Sequence, residues 1–296
     1  MKEFLFKKID AFATKYSDGN PAGYILLDSF FDIEEKEMLK IAKELKGYVN
    51  EVGYMARINV DTYKLRYFSS EREVEFCGHA TIAIMYDHIK NNNNIDGLSE
   101  IKIITNKGEL IVENRIKEDN AVFIMSPSPK YNMTQISIDL IAKALKIRNS
   151  DISAEPEIIN AGLETLIVSI GSLDTLLNIE PNLEELKEFC VGNGIDIIEV
   201  FCSEVNNEDN LYRTRVFAPT FGYLEDPATG SGNSAFGYYL LKDNKWEGNL
   251  ISIEQNGDRD RYNVIKLKTA IDIKGIKRVL FGGGAVVRIE GKYNLL

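Results

Sequence analysis

Residues 77–90, CGHATIAIMYDHIK, begin with a small polar turn and then run apolar on nearly every side. A second stretch, GSGNSAFGYYLLK at 230–242, repeats this plan. A helix that is apolar all round has to be buried on all sides. We therefore predict helices over 78–90 and 231–242, each wrapped by strands, with their N-termini facing one cleft.

Around these two helices, short runs rich in Ile, Val, Tyr and Phe are separated by turn residues, which is typical of antiparallel hairpins. They predict strands over 4–12, 62–68, 101–105, 109–116, 121–125, 164–170, 197–204, 211–217, 262–268 and 284–290. Apolar residues at helical spacing predict peripheral helices over 33–46, 138–146 and 183–191. For the first, we expect Asp32 as N-cap and Gly47 at the end; for the third, Asn182 and Gly192.

The two halves of the chain resemble each other. Arg66-Tyr67-Phe68 precedes the first buried helix, and Arg215-Val216-Phe217 precedes the second. This weak internal duplication predicts an α/β (α+β) fold of two similar lobes, each with a mostly antiparallel curved sheet. Two prolines in Ser126-Pro127-Ser128-Pro129 place the break there, giving lobes over 1–128 and 129–296, and the last strand could return to the first lobe.

Composition excludes several functional classes. The 296 residues are 44% hydrophobic and 27% charged, with a formal net charge of −10, which argues against a nucleic-acid surface. Charges run through the N-terminal apolar stretch, and no window is long and apolar enough for a membrane helix, so we expect a cytoplasmic protein with no membrane partner. Three cysteines without a CxxC pair and only two histidines predict reduced thiols and no metal site.

The turns before the two buried helices could bind an anion. Free N–H groups at Gly78 in the first turn, and at Gly230, Ser231 and Gly232 in the second, attract a carboxylate. The positive end of the helix should lower the pKa of His79 and keep the imidazole neutral. The alternatives are a histidine hydrogen-bonded in the core and a serine that only caps its helix.

Glu51 lies at the apparent start of a strand, where glutamate is depleted. Burial among apolar neighbours would raise the pKa of its carboxyl toward neutrality, which suits a general acid/base. The alternative is a surface glutamate on an edge strand.

Four segments occur in an order that carries a family resemblance: Asp18-Gly19-Asn20-Pro21-Ala22-Gly23, Glu51, Cys77-Gly78-His79-Ala80-Thr81 and Glu225-Asp226-Pro227-Ala228-Thr229-Gly230-Ser231-Gly232. Over nearly its whole length the chain resembles the phenazine-biosynthesis PhzF-like isomerases, within the diaminopimelate-epimerase-like fold. The resemblance implies two lobes, each with a sheet around a central helix, with the active site between them, and a homodimer. The sequence has no nicotinamide fingerprint, metal-ligand spacing or flavin motif, so we expect catalysis without a cofactor.

The resemblance also implies residue roles. Glu51 matches the residue that transfers the proton, and the supporting catalytic residues are His79, Asp226 and Ser231. The residues implied to bind substrate are Asn20, Gly78, Gly230 and Gly232. Asn50 departs from the family, in which a small hydroxyl residue is common beside the glutamate.

The function expected from these residues is an isomerase that shifts a proton within a small carboxylate-bearing substrate. An amino- or hydroxy-acid racemase or epimerase, and a small-molecule-binding protein without turnover, remain as alternatives. Related racemases use one cysteine from each lobe; here Cys77 lies in the first turn but the second turn has none, which argues against a two-thiol mechanism.

Overall fold

The chain folds into two units, each of which has a sheet and a central helix. The computed structural model describes residues 2–296. Unit 1 extends to Met125 and includes Gly282–Leu296, and unit 2 is Ser126–Phe281. The last strand of the chain thus belongs to unit 1, where it pairs with the first strand.

Unit 1 is built mainly of strands. Its strands are β1 Lys2–Ala11, β2 Asn20–Leu27, β3 Glu51–Arg57, β4 Thr62–Ser69, β5 Glu73–Val74, β6 Glu100–Thr105, β7 Gly108–Arg115, β8 Ala121–Met125 and, at the end of the chain, β18 Ala285–Leu295. Its helices are α1 Glu35–Glu44, α2 Gly78–Lys90 and α3 Ile116–Asp119. The helix α2 packs against β1, β2, β3, β8 and β18, so strands surround it.

Unit 2 contains the remaining elements. Its strands are β9 Lys130–Asn132, β10 Glu157–Asn160, β11 Glu164–Ser169, β12 Ile197–Cys202, β13 Tyr212–Phe217, β14 Glu225–Asp226, β15 Ile251–Gln255 and β16 Asn263–Ile271, followed by β17 Lys277–Gly283, which begins in this unit. Its helices are α4 Ile138–Leu145, α5 Leu173–Leu177, α6 Leu183–Asn193 and α7 Gly230–Lys242, with short 3₁₀ turns at Asn149–Asp151 and Pro219–Phe221. The helix α7 packs against β10, β11, β12 and β16.

The two units repeat one pairing scheme. In unit 1, β2 runs parallel to β3, β3 antiparallel to β4, and β4 antiparallel to β5 and parallel to β6. In unit 2, β11, β12, β13, β14 and β15 follow the same scheme. The parallel pairs arise where a helix carries the chain across between strands. The duplication also keeps one ion pair, Arg66 to Glu73 at 2.6 Å and Arg215 to Glu225 at 2.8 Å.

Both central helices are buried, as their all-round apolar sequences predict. Buried residues occupy every position of α2 from Ala80 to Asp87 and every position of α7 from Gly232 to Leu240. The α+β fold class is therefore confirmed. Within residues 2–296, none of the helices has the length and apolarity needed to cross a membrane.

Some predicted boundaries and caps are wrong. Asp32 does not cap α1, because its carboxylate accepts the N–H of Ser29; Glu34 is the N-cap, and its N–H donates to Glu37 at 2.8 Å. Asn182 caps α6 as predicted, but the helix continues through Gly192 and ends at Gly194, which has a left-handed φ of 66°. The strands β2, β10 and β17 are absent from the prediction because their residues lack strict alternation of apolar and polar side chains. The strand β15 is absent from the prediction although Ile251-Ser252-Ile253-Glu254 alternates.

Candidate active site

Glu51 is placed by the sheet of unit 1. It is the first residue of β3, pairing with Ala22 on β2 and Ser69 on β4, and 21% of its side chain is exposed. The preceding Asn50 donates its side-chain N–H to Asn20 Oδ1 at 3.1 Å, and Asn20 is completely buried at the start of β2. Asn20 is therefore linked to Glu51 through the neighbouring Asn50 and does not pair with it directly.

The first turn of α2 brings His79 and Cys77 to the same carboxylate. Cys77 is the N-cap of α2 and Gly78 its first residue. His79 Nε2 lies 3.2 Å from Glu51 Oε2, and the Cys77 thiol lies 3.7 Å from the same oxygen. Cys77 Sγ is also 3.5 Å from His79 Nδ1, which closes a triangle of acid, thiol and imidazole. The predicted pair Glu51 and His79 is thus in hydrogen-bond contact, and Cys77 joins it.

The charge states of this pair are opposite to those expected from the sequence. Burial raises the pKa of Glu51, but hydrogen bonds from His79 and Cys77 and the positive charge of His79 outweigh it, so this pKa lies below its ordinary value. Burial lowers the pKa of His79, but its contacts with Cys77 and Glu51 raise that pKa well above its ordinary value. The expected raised pKa of Glu51 and lowered pKa of His79 are therefore both wrong, because neither group is isolated: each stabilises the charged form of the other.

Burial raises the pKa of the Cys77 thiol, so Cys77 is protonated and acts as a donor to Glu51. At neutral pH the cluster therefore holds a carboxylate, an imidazolium and a thiol. Because an imidazolium and a thiol both donate to it, Glu51 is held as a carboxylate, which is the form that can accept a proton.

These three side chains are also potential metal ligands. One ligand atom from each of Glu51, Cys77 and His79 lies within 4.8 Å of the others. Hydrogen bonds among the three groups account for this arrangement. We therefore interpret the cluster as a proton-transfer site.

In unit 2, the predicted residues surround the first turn of α7. Asp226 ends β14 and is 8% exposed, and the Thr229 hydroxyl donates to its Oδ2 at 2.5 Å. Thr229 is the N-cap, and within residues 2–296 its side chain caps no helix N–H group. Gly230 is the first residue of α7, so the helix begins one residue earlier than predicted and Ser231 lies inside it.

Glu199 is a buried acid that the sequence did not single out. It is completely buried on β12, and neither carboxyl oxygen has a hydrogen-bond partner among the described residues. Burial raises its pKa well above the ordinary value, so Glu199 is neutral. A Cβ on Gly232 would lie 2.6 Å from Glu199 Oε2, so a larger residue there would require the Glu199 carboxyl group to move. The one sequence signal was an acidic residue within the otherwise apolar IIEVFC of β12.

The predicted site residues divide between the units. Asn20, Glu51, Gly78 and His79 lie in unit 1, and Asp226, Gly230, Ser231 and Gly232 lie in unit 2. Within each unit, the predicted site residues lie at the beginning of the central helix. Asn20 is the exception, because it is linked to Glu51 through Asn50. That the two sets act on one substrate stays a prediction.

Comparisons with known proteins agree with this structure. The family model described as "Phenazine biosynthesis-like protein" matches residues 9–291. The chain is 29% identical to an uncharacterized isomerase of Clostridium acetobutylicum, covering 97% of each chain, and 28% identical to antisense-enhancing sequence 1 of Schizosaccharomyces pombe, covering 99% of each.

Solved structures show the same fold. A PhzF-family phenazine biosynthesis protein of Bacillus anthracis superposes with a TM-score of 0.87 at 22% identity, covering 99% of this chain and 100% of that one. A hydroxyproline epimerase of Agrobacterium vitis superposes with a TM-score of 0.57 at 9% identity, covering 98% and 92%. The match along nearly the whole sequence, together with this fold, shows that the chain belongs to the phenazine biosynthesis-like, or PhzF, family of isomerases and epimerases.

Proposed function

We propose that this protein is an isomerase that moves a proton between two atoms of a small carboxylate-bearing substrate, with Glu51 as the general acid/base and without a cofactor. The observation that carries the proposal is the cluster of Glu51, His79 and Cys77, in which two donors face one carboxylate oxygen. Relatives are named isomerases, and this supports the reaction class.

The proton balance needs no oxidant or reductant. Glu51 removes a proton from a substrate carbon, and the electron pair left behind delocalises into the adjacent unsaturated group of the substrate. Glu51 then returns the same proton to another substrate atom. The imidazolium of His79, 3.2 Å from Glu51, keeps Glu51 ionised before the transfer. We propose that it then stabilises the negative charge that develops on the substrate.

The substrate carboxylate needs its own binding group. We propose that main-chain N–H groups of Gly230, Ser231 and Gly232 bind it, since the Thr229 hydroxyl donates to Asp226 instead of capping the helix. A helix N-terminus favours an anion by about 0.3–1 kcal/mol, and more when it is buried. Titration with acetate or sulfate should shift the amide signals of these three residues in NMR spectra. Unchanged signals at saturating anion would contradict this assignment.

The test of the reaction begins with a metabolite screen scored by thermal shift, since binding at 100 times Kd stabilises the folded chain by about 2.7 kcal/mol. With the substrate found, Glu51→Gln should lower kcat by about 10²–10⁴ and leave substrate binding intact. Glu100→Gln, a change of an exposed glutamate on β6, is the control and should keep full activity. Turnover by Glu51→Gln near that of the unmodified protein would overturn the proposal.

A racemase or epimerase is the second candidate, favoured by the Cys77 thiol in contact with Glu51. Its product would be the mirror-image centre of the same carbon, which chiral chromatography distinguishes from a shifted double bond. Cys77→Ser should then abolish activity while Cys190→Ser, which alters another buried thiol, should not. A ligand that binds and is never converted would favour the binding-protein alternative.

The homodimer remains a proposal that the family resemblance supports. Light scattering coupled to size-exclusion chromatography should give twice the chain mass of 33.4 kDa. A mass of one chain at micromolar concentration would contradict it.

A further inference from the structure

The side-chain amide of Gln255 lies completely buried beside the beginning of α7 and uses all of its hydrogen-bonding capacity. Its Oε1 accepts from the Thr229 N–H at 3.0 Å and from Asn233 Nδ2 at 2.7 Å. Its Nε2 donates to the Asp226 carbonyl at 2.8 Å and to Thr229 Oγ1 at 3.2 Å. A reversed amide would set oxygen against the Asp226 carbonyl and NH₂ against the Thr229 N–H, so the orientation is fixed.

This orientation decides where the Thr229 proton points. Because the hydroxyl oxygen accepts from Gln255, the single hydroxyl proton is directed to Asp226 Oδ2, 2.5 Å away. That distance is typical of a hydroxyl bound to a carboxylate. The relay therefore runs in one direction, from Gln255 through Thr229 to Asp226, and it ends on an oxygen that carries no proton.

The fold does not require this relay, as unit 1 shows. Val74 pairs with Tyr67 in unit 1 as Asp226 pairs with Val216 in unit 2, so Val74 occupies the position of Asp226. Three residues later, Cys77 is the N-cap of α2 as Thr229 is of α7. The same turn is thus built with neither a carboxylate nor a hydroxyl at these positions.

We propose that Gln255 and Thr229 are positioning residues that hold Asp226 as a carboxylate, because they direct the Thr229 hydroxyl proton to its Oδ2. The role of Asp226 in the reaction rests on the proposed function. The relay itself is a property of the folded protein without substrate.

The experiment follows the titration of Asp226 in the full chain labelled with ¹³C at the aspartate carboxyl groups. Asp226→Asn identifies the Asp226 signal by its loss. Thr229→Val removes the donor while keeping the shape, and the titration midpoint of Asp226 should rise by about one pH unit because a hydrogen bond to the charged form is lost. Thr229→Ser keeps the hydroxyl and should have the midpoint of the unmodified protein. Gln255→Met should raise the midpoint of Asp226 by less than Thr229→Val does, because the Thr229 hydroxyl remains but can rotate.

An unchanged midpoint in folded Thr229→Val would overturn the proposal. If that variant does not fold, Thr229→Ala replaces it, because it also removes the hydroxyl donor; it should raise the midpoint similarly, and an unchanged midpoint overturns the proposal in the same way.

A failure of the proposed function can be told apart from a failure of the relay, because the titration of Asp226 needs no substrate. If the relay is correct and the reaction is not, the midpoints shift but no metabolite is converted. With a substrate available, Thr229→Val should move the acidic limb of the pH–rate profile by the same amount as the midpoint. A purely structural effect would lower the melting temperature and leave that limb in place, which contradicts the relay.

Discussion

His88, near the end of α2, makes the stability of unit 1 depend on pH in a way that can be calculated. Its Nδ1 lies 3.3 Å from the Tyr24 hydroxyl, and its ring packs edge-on against Tyr63 with ring centroids 4.7 Å apart. Burial lowers the pKa of His88 to about 4. The position near a helix C-terminus favours a cation by only about 0.3–1 kcal/mol, so the burial penalty prevails.

The magnitude follows from the difference between the two states. In the unfolded chain a histidine has a pKa of about 6.5. The unfolded state therefore binds a proton first as the pH falls, and stability is lost between about pH 6.5 and pH 4. From pH 7.5 to 4.5 the loss is about 2.7 kcal/mol at 1.36 kcal/mol per pH unit, and solvent screening of the partly exposed ring reduces it to about 2 kcal/mol.

The test compares the unmodified protein with His88→Gln by urea unfolding, followed by far-UV circular dichroism at pH 7.5, 5.5 and 4.5. The variant cannot titrate at this position, so it should lose about 2 kcal/mol less than the unmodified protein between the extremes. Hydrogen exchange of residues 78–90 assigns the difference to unit 1. Equal losses in both proteins would refute the reasoning.

His79→Gln is the matched control, because the chain has only two histidines and their pKa values shift in opposite directions. The pKa of His79 is raised in the folded state, so its stabilising contribution is complete below about pH 6.5 and is lost as the pH rises through its folded pKa. Relative to the unmodified protein, His79→Gln should therefore become less stable toward acidic pH, the opposite of His88→Gln.

Three further predictions concern buried groups. The raised pKa of Glu199 lowers the free energy of unfolding as the pH rises above about 4.5. Urea unfolding from pH 4 to 8 should therefore show Glu199→Gln becoming more stable relative to the unmodified protein. A difference in unfolding free energy that stays constant with pH would contradict this. Gly53→Ala should cost about 1–3 kcal/mol, since its Cβ would lie closer to Ile84 Cδ1 than van der Waals contact allows. Adding Ile84→Val should recover part of that loss; no recovery would exclude the clash as the cause. Glu254→Gln should cost about 3–5 kcal/mol because it leaves the fully buried Arg213 guanidinium without its counter-charge, and a cost near zero would show that the pair does not stabilise the fold.

The sequence by itself determined the elements whose signals are local. All-round apolar stretches after glycine turns located both central helices, and the actual bounds, Gly78–Lys90 and Gly230–Lys242, differ from the prediction by one residue at a single end. A helix forms between residues three and four apart, so its periodicity can be read along the chain. The ordered motifs likewise identified the family, because residues such as Asn20 and Glu51 keep their order along the chain.

Contacts and charge states that depend on residues distant in the sequence were decided only by the tertiary structure. Glu51 and Cys77 are 26 residues apart, and β3 and α2 bring them into contact. Glu51 and His79 reverse each other's expected pKa shift because the energy of an ionised group depends on the charges and donors within a few ångströms. Gln255 is 29 residues from Asp226, and nothing in its local sequence indicates the bond that joins them. The helices of eight residues or more were therefore predictable from short-range spacing. Charge states and hydrogen-bond direction were set by how the sheets bring distant residues together.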